Sequence, residues 1–324
     1  MTPFNNSYRY RRLLALWIAV FGIAALADEA PAMVARQVSP SSWYVQGMSA
    51  LGSRANQNFI SNAAFVVTPA GVVIIDALGS PELAKSLAAQ IATITPQPIT
   101  HVIVTHYHAD HIYGLQTFKA LGAQIIAHRA ALAYLNSETA RLRLQYSRAE
   151  MAPWIDEQTR LVEADEWLDK PRVLVVGGVR FEINPVGPAH TPEDLVVYLP
   201  GEKVLFAGDL VFRSRVPYVG QADSRHWIAA LEQLLKFDAQ VILPGHGALS
   251  TEARQDMQLT RDYLTYLRTS MGQAAKNLEP FEQAYNATDW RQFEHLPLFR
   301  AANRMNAYNT YLLMENEFST GSSQ

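Results

Sequence analysis

The chain has 324 residues, 49% of them apolar, with 27 basic and 30 acidic side chains and no cysteine. That length holds one large domain or two small ones, the apolar share excludes a disordered chain, and the slightly acidic balance excludes the basic footprint of a nucleic-acid binder. Without cysteine there is no disulfide framework, and any metal site must be built from His, Asp, Glu or water.

Arg9, Arg11 and Arg12 precede an apolar run from Leu13 to Leu26, and Ala25-Leu26-Ala27 offers a small-x-small cleavage site before Asp28-Glu29. This order predicts a secretory signal peptide over residues 1–27 and a periplasmic or secreted mature protein. The run is short for a membrane span, so no stable span is expected after cleavage; a retained anchor is the alternative. Arg11-Arg12 lacks the surroundings of a twin-arginine signal. Cleavage removes three arginines and leaves 24 basic against 30 acidic residues, a net charge near −6.

Two later segments share one design. Residues 65–76 and 195–209 each read as an apolar strand, a Pro/Gly turn, a second apolar strand and a terminal Asp, Asp76 or Asp209. A helix is predicted after each hairpin. Ser80 caps the first, with Pro81 at its first position, Glu82 in its first turn, and Leu83, Leu87 and Ile91 on its buried stripe. Asp223 or Ser224 caps the second, with Trp227, Ile228, Leu231, Leu234 and Leu235 facing inward. Each helix leads to another apolar strand, Val102-Ile103-Val104 or Val241-Ile242-Leu243, that runs into histidine. The pattern predicts two related halves in an α/β four-layer αβ/βα sandwich, two sheets face to face with helices outside. Two parts fall outside it. Residues about 129–168 form a polar, helix-leaning insertion with Arg141, Arg143, Arg148 and Trp154. Residues 251–324 form a C-terminal helical extension, where Leu259, Tyr263, Tyr266 and Leu267 make a stripe read as core.

The chemistry concentrates in Thr105-His106-Tyr107-His108-Ala109-Asp110-His111, which puts three imidazoles and a carboxylate at the exit of a strand. Transition metals take such donors. His190 sits in a Gly/Pro loop before the second hairpin, Asp209 follows Gly208, and His246 lies in Pro244-Gly245-His246-Gly247 after a strand. In a sheet sandwich these ends can share one edge. Each has a plainer alternative: Asp209 as a turn residue or helix cap, His190 and His246 as structural histidines, Asp76 as a strand terminator. His101, His128, His226 and His295 read as structural or surface residues.

These residues, in this order, resemble the metallo-beta-lactamase superfamily over roughly residues 43–250, within a catalytic domain set at 37–250. The resemblance implies a dinuclear site with two zinc ions, though the same donors also take Fe or Mn. It assigns His106, His108 and His190 to a first metal, and Asp110, His111 and His246 to a second. Asp209 would bridge both, and Asp110 would also orient the nucleophile. The implied activity is hydrolysis of an ester, thioester, lactone or amide in a small-molecule substrate by metal-bound hydroxide. Asp76, Thr191 and Asp194 are the expected partners behind the ligands.

Lactamases of this fold usually carry Cys or Ser where Asp209 stands, and flavo-diiron relatives carry Glu where His108 stands. The stretch 208–220 and the tail around Leu296-Pro297-Leu298-Phe299 and Ala302–Tyr308 are similar to an exported, SoxH-like branch, the quinoprotein relay-system zinc metallohydrolases. That likeness implies a periplasmic quinoprotein partner. Arg213, Arg215 and Tyr218 are the substrate candidates, one arginine pairing with an anionic group or else forming a structural ion pair. The rival functions are a β-lactamase, a mononuclear iron sulfur dioxygenase and a non-catalytic metal-binding partner.

Overall fold

The computed structural model describes residues 32–220 and 222–321; the predicted signal peptide lies outside them. The first sheet runs β1 (Arg36–Gln37), β2 (Ser42–Val45), β3 (Ala63–Thr68), β4 (Gly71–Ile75), β5 (Ile99–Ile103), β6 (Gln124–His128) and β7 (Glu166–Leu168), in that spatial order. The second runs β8 (Arg172–Val176), β9 (Val179–Pro185), β10 (Leu195–Leu199), β11 (Val204–Phe212) and β12 (Val241–His246). Helices α1 (Pro81–Ile94), α2 (Ala109–Ile112), α3 (Leu115–Ala120), α4 (Ala131–Leu135) and α5 (Glu138–Met151) belong to the first half. The second half adds α6 (Ser224–Leu234), α7 (Ala253–Lys276), α8 (Phe281–Ala287) and α9 (Phe299–Ser319). No helix among the described residues is long and apolar enough to cross a membrane.

Strand alternation explains the layers. Val73, Ile75, Ile103 and Ile126 face Phe181, Val197, Phe206 and Leu243 between the sheets. The intervening Val72, Ile74, Val102 and Ile125 turn to the other side, against Leu83, Leu87 and Ile91 of α1 and Phe118 of α3. Val196, Leu205 and Ala207 likewise turn outward to Trp227, Leu231 and Leu234 of α6. Both faces of the central strands are buried, so they read as continuous apolar runs. The predicted helix–sheet–sheet–helix sandwich is the observed fold.

The two halves have matching connections. Strands β3 and β4 form an antiparallel hairpin, α1 follows, and β5 returns parallel to β4. Strands β10 and β11 form a hairpin, α6 follows, and β12 returns parallel to β11. Ser80 accepts from the Leu83 amide (3.3 Å), and Asp223 caps α6 through the His226 amide (3.1 Å). The parallel returns bring the carboxyl ends of β4, β5, β11 and β12 to one edge. Two bonds stitch that edge across the sheets: Leu195 amide to Thr105 carbonyl (3.0 Å) and Asn62 amide to Gly245 carbonyl (2.8 Å).

Two boundaries differ from the sequence reading. The β8–β9 hairpin turns on Gly177 and Gly178, both at positive φ, yet β8 is an edge strand with Val173 and Val175 exposed, so it lacks the apolar run that marks a buried strand. The insertion ends before Glu166, where β7 adds the last strand of the first sheet. The C-terminal helical extension packs as its stripe predicts. Tyr263, Leu264, Leu267 and Met271 of α7 share a core with β10, β11 and α6, and Ala307 and Met314 of α9 close over them.

That outer layer holds a buried polar network. The Asn306 side-chain amide donates to the Pro217 carbonyl (2.7 Å) and the Tyr263 hydroxyl (2.9 Å), and its oxygen accepts from the Val219 amide (3.0 Å). Tyr263 donates onward to Asn303 (2.8 Å). Asn306 is fully buried, so its removal strands two backbone groups away from water. Asn306→Ala is expected to lower stability by about 2–4 kcal/mol, read as a lower urea midpoint with an unchanged slope; an unmoved midpoint would contradict this.

Candidate metal centre

The histidine run leaves the end of β5. His106 lies in the turn, His108 stands at the N-cap of α2, and Asp110 and His111 fall within that short helix. His190 comes from the β9–β10 loop, closed by Asp194, which accepts from the Thr191 amide (2.7 Å) and hydroxyl (2.8 Å). His246 is the last residue of β12. Asp209 does not end its strand as predicted. It sits inside β11 at an irregularity in the pairing with β12, where Gly208 takes φ 53°. A Cβ on Gly208 would lie 2.8 Å from the Thr105 hydroxyl, so glycine permits both the close approach and the bulge that re-aims Asp209.

The structure brings all seven predicted ligands together in two groups, His106, His108, His190 and Asp209, and Asp110, His111 and His246, with donor atoms inside each group within 4.8 Å of one another. In the first group His108 Nδ1 lies 3.1 Å from His106 Nε2 and 3.0 Å from His190 Nε2. Donors around a tetrahedral ion with bonds of about 2.0–2.1 Å stand about 3.3 Å apart, close to these separations. In the second, Asp110 Oδ2 lies 3.3 Å from His246 Nε2 and 3.7 Å from His111 Nε2. Asp209 links the two: Oδ1 is 3.3 Å from His111, and Oδ2 is 3.2 Å from His246 and 3.4 Å from His190. His111 Nε2 and Asp209 Oδ1 are buried without a hydrogen-bond partner. Native interiors rarely leave such atoms idle, and a bound cation satisfies both. The residues fit a metal pair.

The outer nitrogens of His106, His111 and His246 are tied down, whereas His190 Nδ1 is buried without a partner. His111 Nδ1 meets Asp76 (2.9 Å), which also accepts from the Thr105 amide and hydroxyl (each 2.8 Å). The Thr105 hydroxyl in turn meets His106 Nδ1 (3.1 Å), and His246 Nδ1 donates to the Ile60 carbonyl (2.7 Å). These contacts aim the other nitrogens at the centre. Asp76 holds a left-handed backbone, φ 62°, a strained conformation of the kind found at functional sites. Sequence reasoning missed Thr105 and the Ile60 carbonyl; only the position of Thr105 beside His106 hinted at the former.

Charge divides the two groups. Burial pushes His108 down to about 4 and His190 down to about 3, and it also holds His106 low. These imidazoles are therefore neutral, the form that binds metal. Burial also opposes charge on His111 and His246, but the carboxylates of Asp209 and Asp110 outweigh it and hold both imidazoles above their ordinary value. Without ions, protons on these two histidines offset the two buried carboxylates.

The substrate candidates separate. Arg213 lies off the cleft: its guanidinium pairs with Asp256 of α7 (3.1 Å) and bonds the Leu249 carbonyl, so it takes the structural alternative. Arg215 lines a cavity of ≈ 310 Å³ beside Asp110, Asp209 and His246, together with Tyr218, Leu51, Ile60 and Met151. It is 6% exposed and lies over the Phe212 ring, 5.6 Å from its centroid, with no carboxylate in ion-pair contact among the described residues. Arg143 of α5 also lines this cavity; the sequence reading placed it in the insertion without a site role.

A family model described as the metallo-beta-lactamase superfamily matches residues 57–246. The chain belongs to the metallo-beta-lactamase superfamily. All seven clustered residues fall inside the match, and the superfamily and the relatives below are metal-dependent hydrolases. A linear primary-alkylsulfatase from a Pseudomonas species is 24% identical over 238 residues, 62% of this chain and 45% of that protein. A type 2 metallo-beta-lactamase from Bacillus cereus is 29% identical over 202 residues, 61% of this chain and 71% of that protein. This metallo-beta-lactamase-superfamily chain also shares its fold with the stereoselective inverting sec-alkylsulfatase of a Pseudomonas species, at TM-score 0.65 and 18% identity, covering 87% of this chain and 50% of that one. That coverage is larger than residues 1–250 can supply, so the shared fold includes part of the C-terminal helices.

The charge division predicts how pH acts on metal uptake. Binding at Asp110, His111 and His246 must displace protons held above the usual imidazole range, so affinity there rises as pH increases beyond about 6.5. Binding at His106, His108 and His190 displaces none and stays flat. Zinc titration calorimetry in buffers of different ionisation heat is expected to show proton release for one of two ions; equal release for both would contradict the division.

Proposed function

We propose that this chain is an exported dizinc hydrolase that cleaves an ester, thioester, lactone or amide bond in a small substrate carrying an anionic group. The observation that carries this reading is the Asp209 carboxylate shared between two imidazole groups at the floor of a cleft. When bound there, a metal pair would lower the pKa of a shared water and polarise the bond under attack. The chain's own groups do the rest. Asp110 is the more open of the two carboxylates, its side chain 16% exposed, and it orients the attacking water and takes up a proton. Arg215 binds the substrate's anionic group, its buried guanidinium set beside the reacting centre. Leu51, Ile60 and Met151 pack on the apolar part of the substrate and exclude water from it.

Zinc is proposed because His/Asp donors near tetrahedral spacing suit it, and export because of the composition of residues 1–27. The SoxH-like placement, with a periplasmic quinoprotein as partner, is supported by the two stretches that carry it. They touch: the Val216 amide donates to the Pro297 carbonyl (3.1 Å), and Asn306 ties Pro217 and Val219. A second reading, sulfate-ester hydrolysis, is favoured by the likeness to the alkylsulfatase and by a cavity that joins apolar walls to an arginine.

A metal-depleted sample reconstituted with zinc, iron or manganese and assayed on an aryl ester, a thioester, a lactone, an aryl sulfate and a chromogenic cephalosporin tests these readings. Expected is turnover of an ester-type substrate that disappears with chelator and returns with two zinc ions per chain. Turnover confined to the aryl sulfate or the cephalosporin would replace the leading reading, and one iron per chain with oxygen uptake would point to a dioxygenase. Arg215→Ala is expected to raise KM for an anionic ester about 10–100-fold, the loss of one charged hydrogen-bonded contact, with two ions still bound; an unchanged KM would remove Arg215 from substrate binding.

A further inference from the structure

The cleft has a second chamber that the proposed hydrolysis leaves unused. It measures ≈ 570 Å³, lies on the His190 side, and is walled by Tyr134, Thr139, Glu193 and Asn309. His108, Arg143 and Tyr218 line both chambers and so stand at their junction. The bond to be cleaved, held at that junction, leaves one part of the substrate in each chamber.

Arg143 differs from its neighbours on α5. Arg141 pairs with Glu138 (2.7 Å), and Arg148 pairs with Glu157 (3.4 Å) and bonds two carbonyls. Arg143 makes no ion pair or hydrogen bond among the described residues. The Tyr134 hydroxyl is buried in the same wall without a partner. Arg143 is near enough for its charge to act on both that hydroxyl and the His108 imidazole. Glu193, the one carboxylate among the chamber's described lining residues, accepts from the Tyr107 amide (3.2 Å), and burial pushes its carboxyl up, toward the uncharged acid. The chamber thus offers an uncompensated guanidinium beside a carboxyl that burial pushes toward its uncharged form. That combination recognises an oxyanion group, because guanidinium pairs with carboxylate or sulfonate in a forked geometry.

We propose that this chamber is a subsite for a second anionic group, a carboxylate or sulfonate on the part of the substrate lying toward His190, held by Arg143. The proposal rests on the hydrolase reading for its placement of the scissile bond, and it narrows the substrate to one with an anionic group on each side of that bond.

Two measurements on the zinc-loaded protein test it. In the first, wild type, Arg143→Ala and Arg143→Glu are compared on monophenyl adipate and its 4-carboxyphenyl counterpart. The preference in kcat/KM for the carboxylated ester is expected to fall about 10–100-fold in the alanine variant and further in the glutamate variant. In the second, benzenesulfonate binding is followed by calorimetry, with at least tenfold weaker affinity expected in Arg143→Ala and none measurable in Arg143→Glu. Arg143 is an exposed helical residue, so both variants are expected to melt with the wild type. If neither ester is hydrolysed, the hydrolase reading fails while the binding comparison still decides the subsite. Benzenesulfonate binding equal in wild type and Arg143→Ala, or an unchanged ester preference, overturns the proposal.

Discussion

Asp209 is a buried carboxylate that faces His106, His111, His190 and His246 at distances of 3.2 to 3.8 Å. Burying a charge is costly unless it is paired and its remaining donors and acceptors are met. Here the pairing comes from groups at three separate places in the chain, so the whole molecule must hold those places in register with Asp209. Without ions the balance relies on protons held by His111 and His246, and three buried polar atoms of the ligand residues remain unmatched. A site left this unsatisfied by protein alone is one built around cations.

The sandwich meets that demand with repeated geometry. Each half sends a hairpin, a helix and a parallel strand toward the same edge, so the carboxyl ends of β4, β5, β11 and β12 meet there. The sheets are then joined across that edge by the Thr105 and Asn62 backbone bonds. Gly208 lets β11 approach Thr105 closely enough for Asp209 to reach both groups, and Asp76 accepts a strained backbone while anchoring His111. Local strain is tolerated where the surrounding structure over-determines it.

The cleft walls come from outside the repeated halves. The insertion contributes α5, with Arg143 and Met151, and the loop after β11 contributes Arg215 and Tyr218. That loop is held from below by Asn306 of α9 through Pro217 and Val219. The C-terminal helices therefore shape the substrate side of the centre without contributing a donor to it. Scaffold and specificity are divided: strand ends supply the metal-binding groups, and the helical additions supply what surrounds the substrate.

The layered fold, the paired hairpins, the helix caps at Ser80 and Asp223 and the seven clustered residues were legible in the sequence. Each depends on local pattern: strand alternation, turn chemistry, and donors spaced at the exit of an apolar strand. What the sequence left open depends on distant partners. Arg213 and Arg215 look alike as neighbours, yet one meets Asp256 on α7 and the other faces the cleft, a choice made only when α7 docks on β11. Asp209 reads as a strand terminator until the bulge at Gly208 aims it inward. The exposed β8 hairpin carries too little apolar pattern to announce itself, and Arg143 gains meaning only where α5 closes over His108. Residue type and short-range spacing thus determined the elements and the donor set, because those follow from local sterics and burial. Which charges end up paired, buried or open to a substrate was decided by tertiary packing, because each such outcome depends on contacts between residues far apart in the chain.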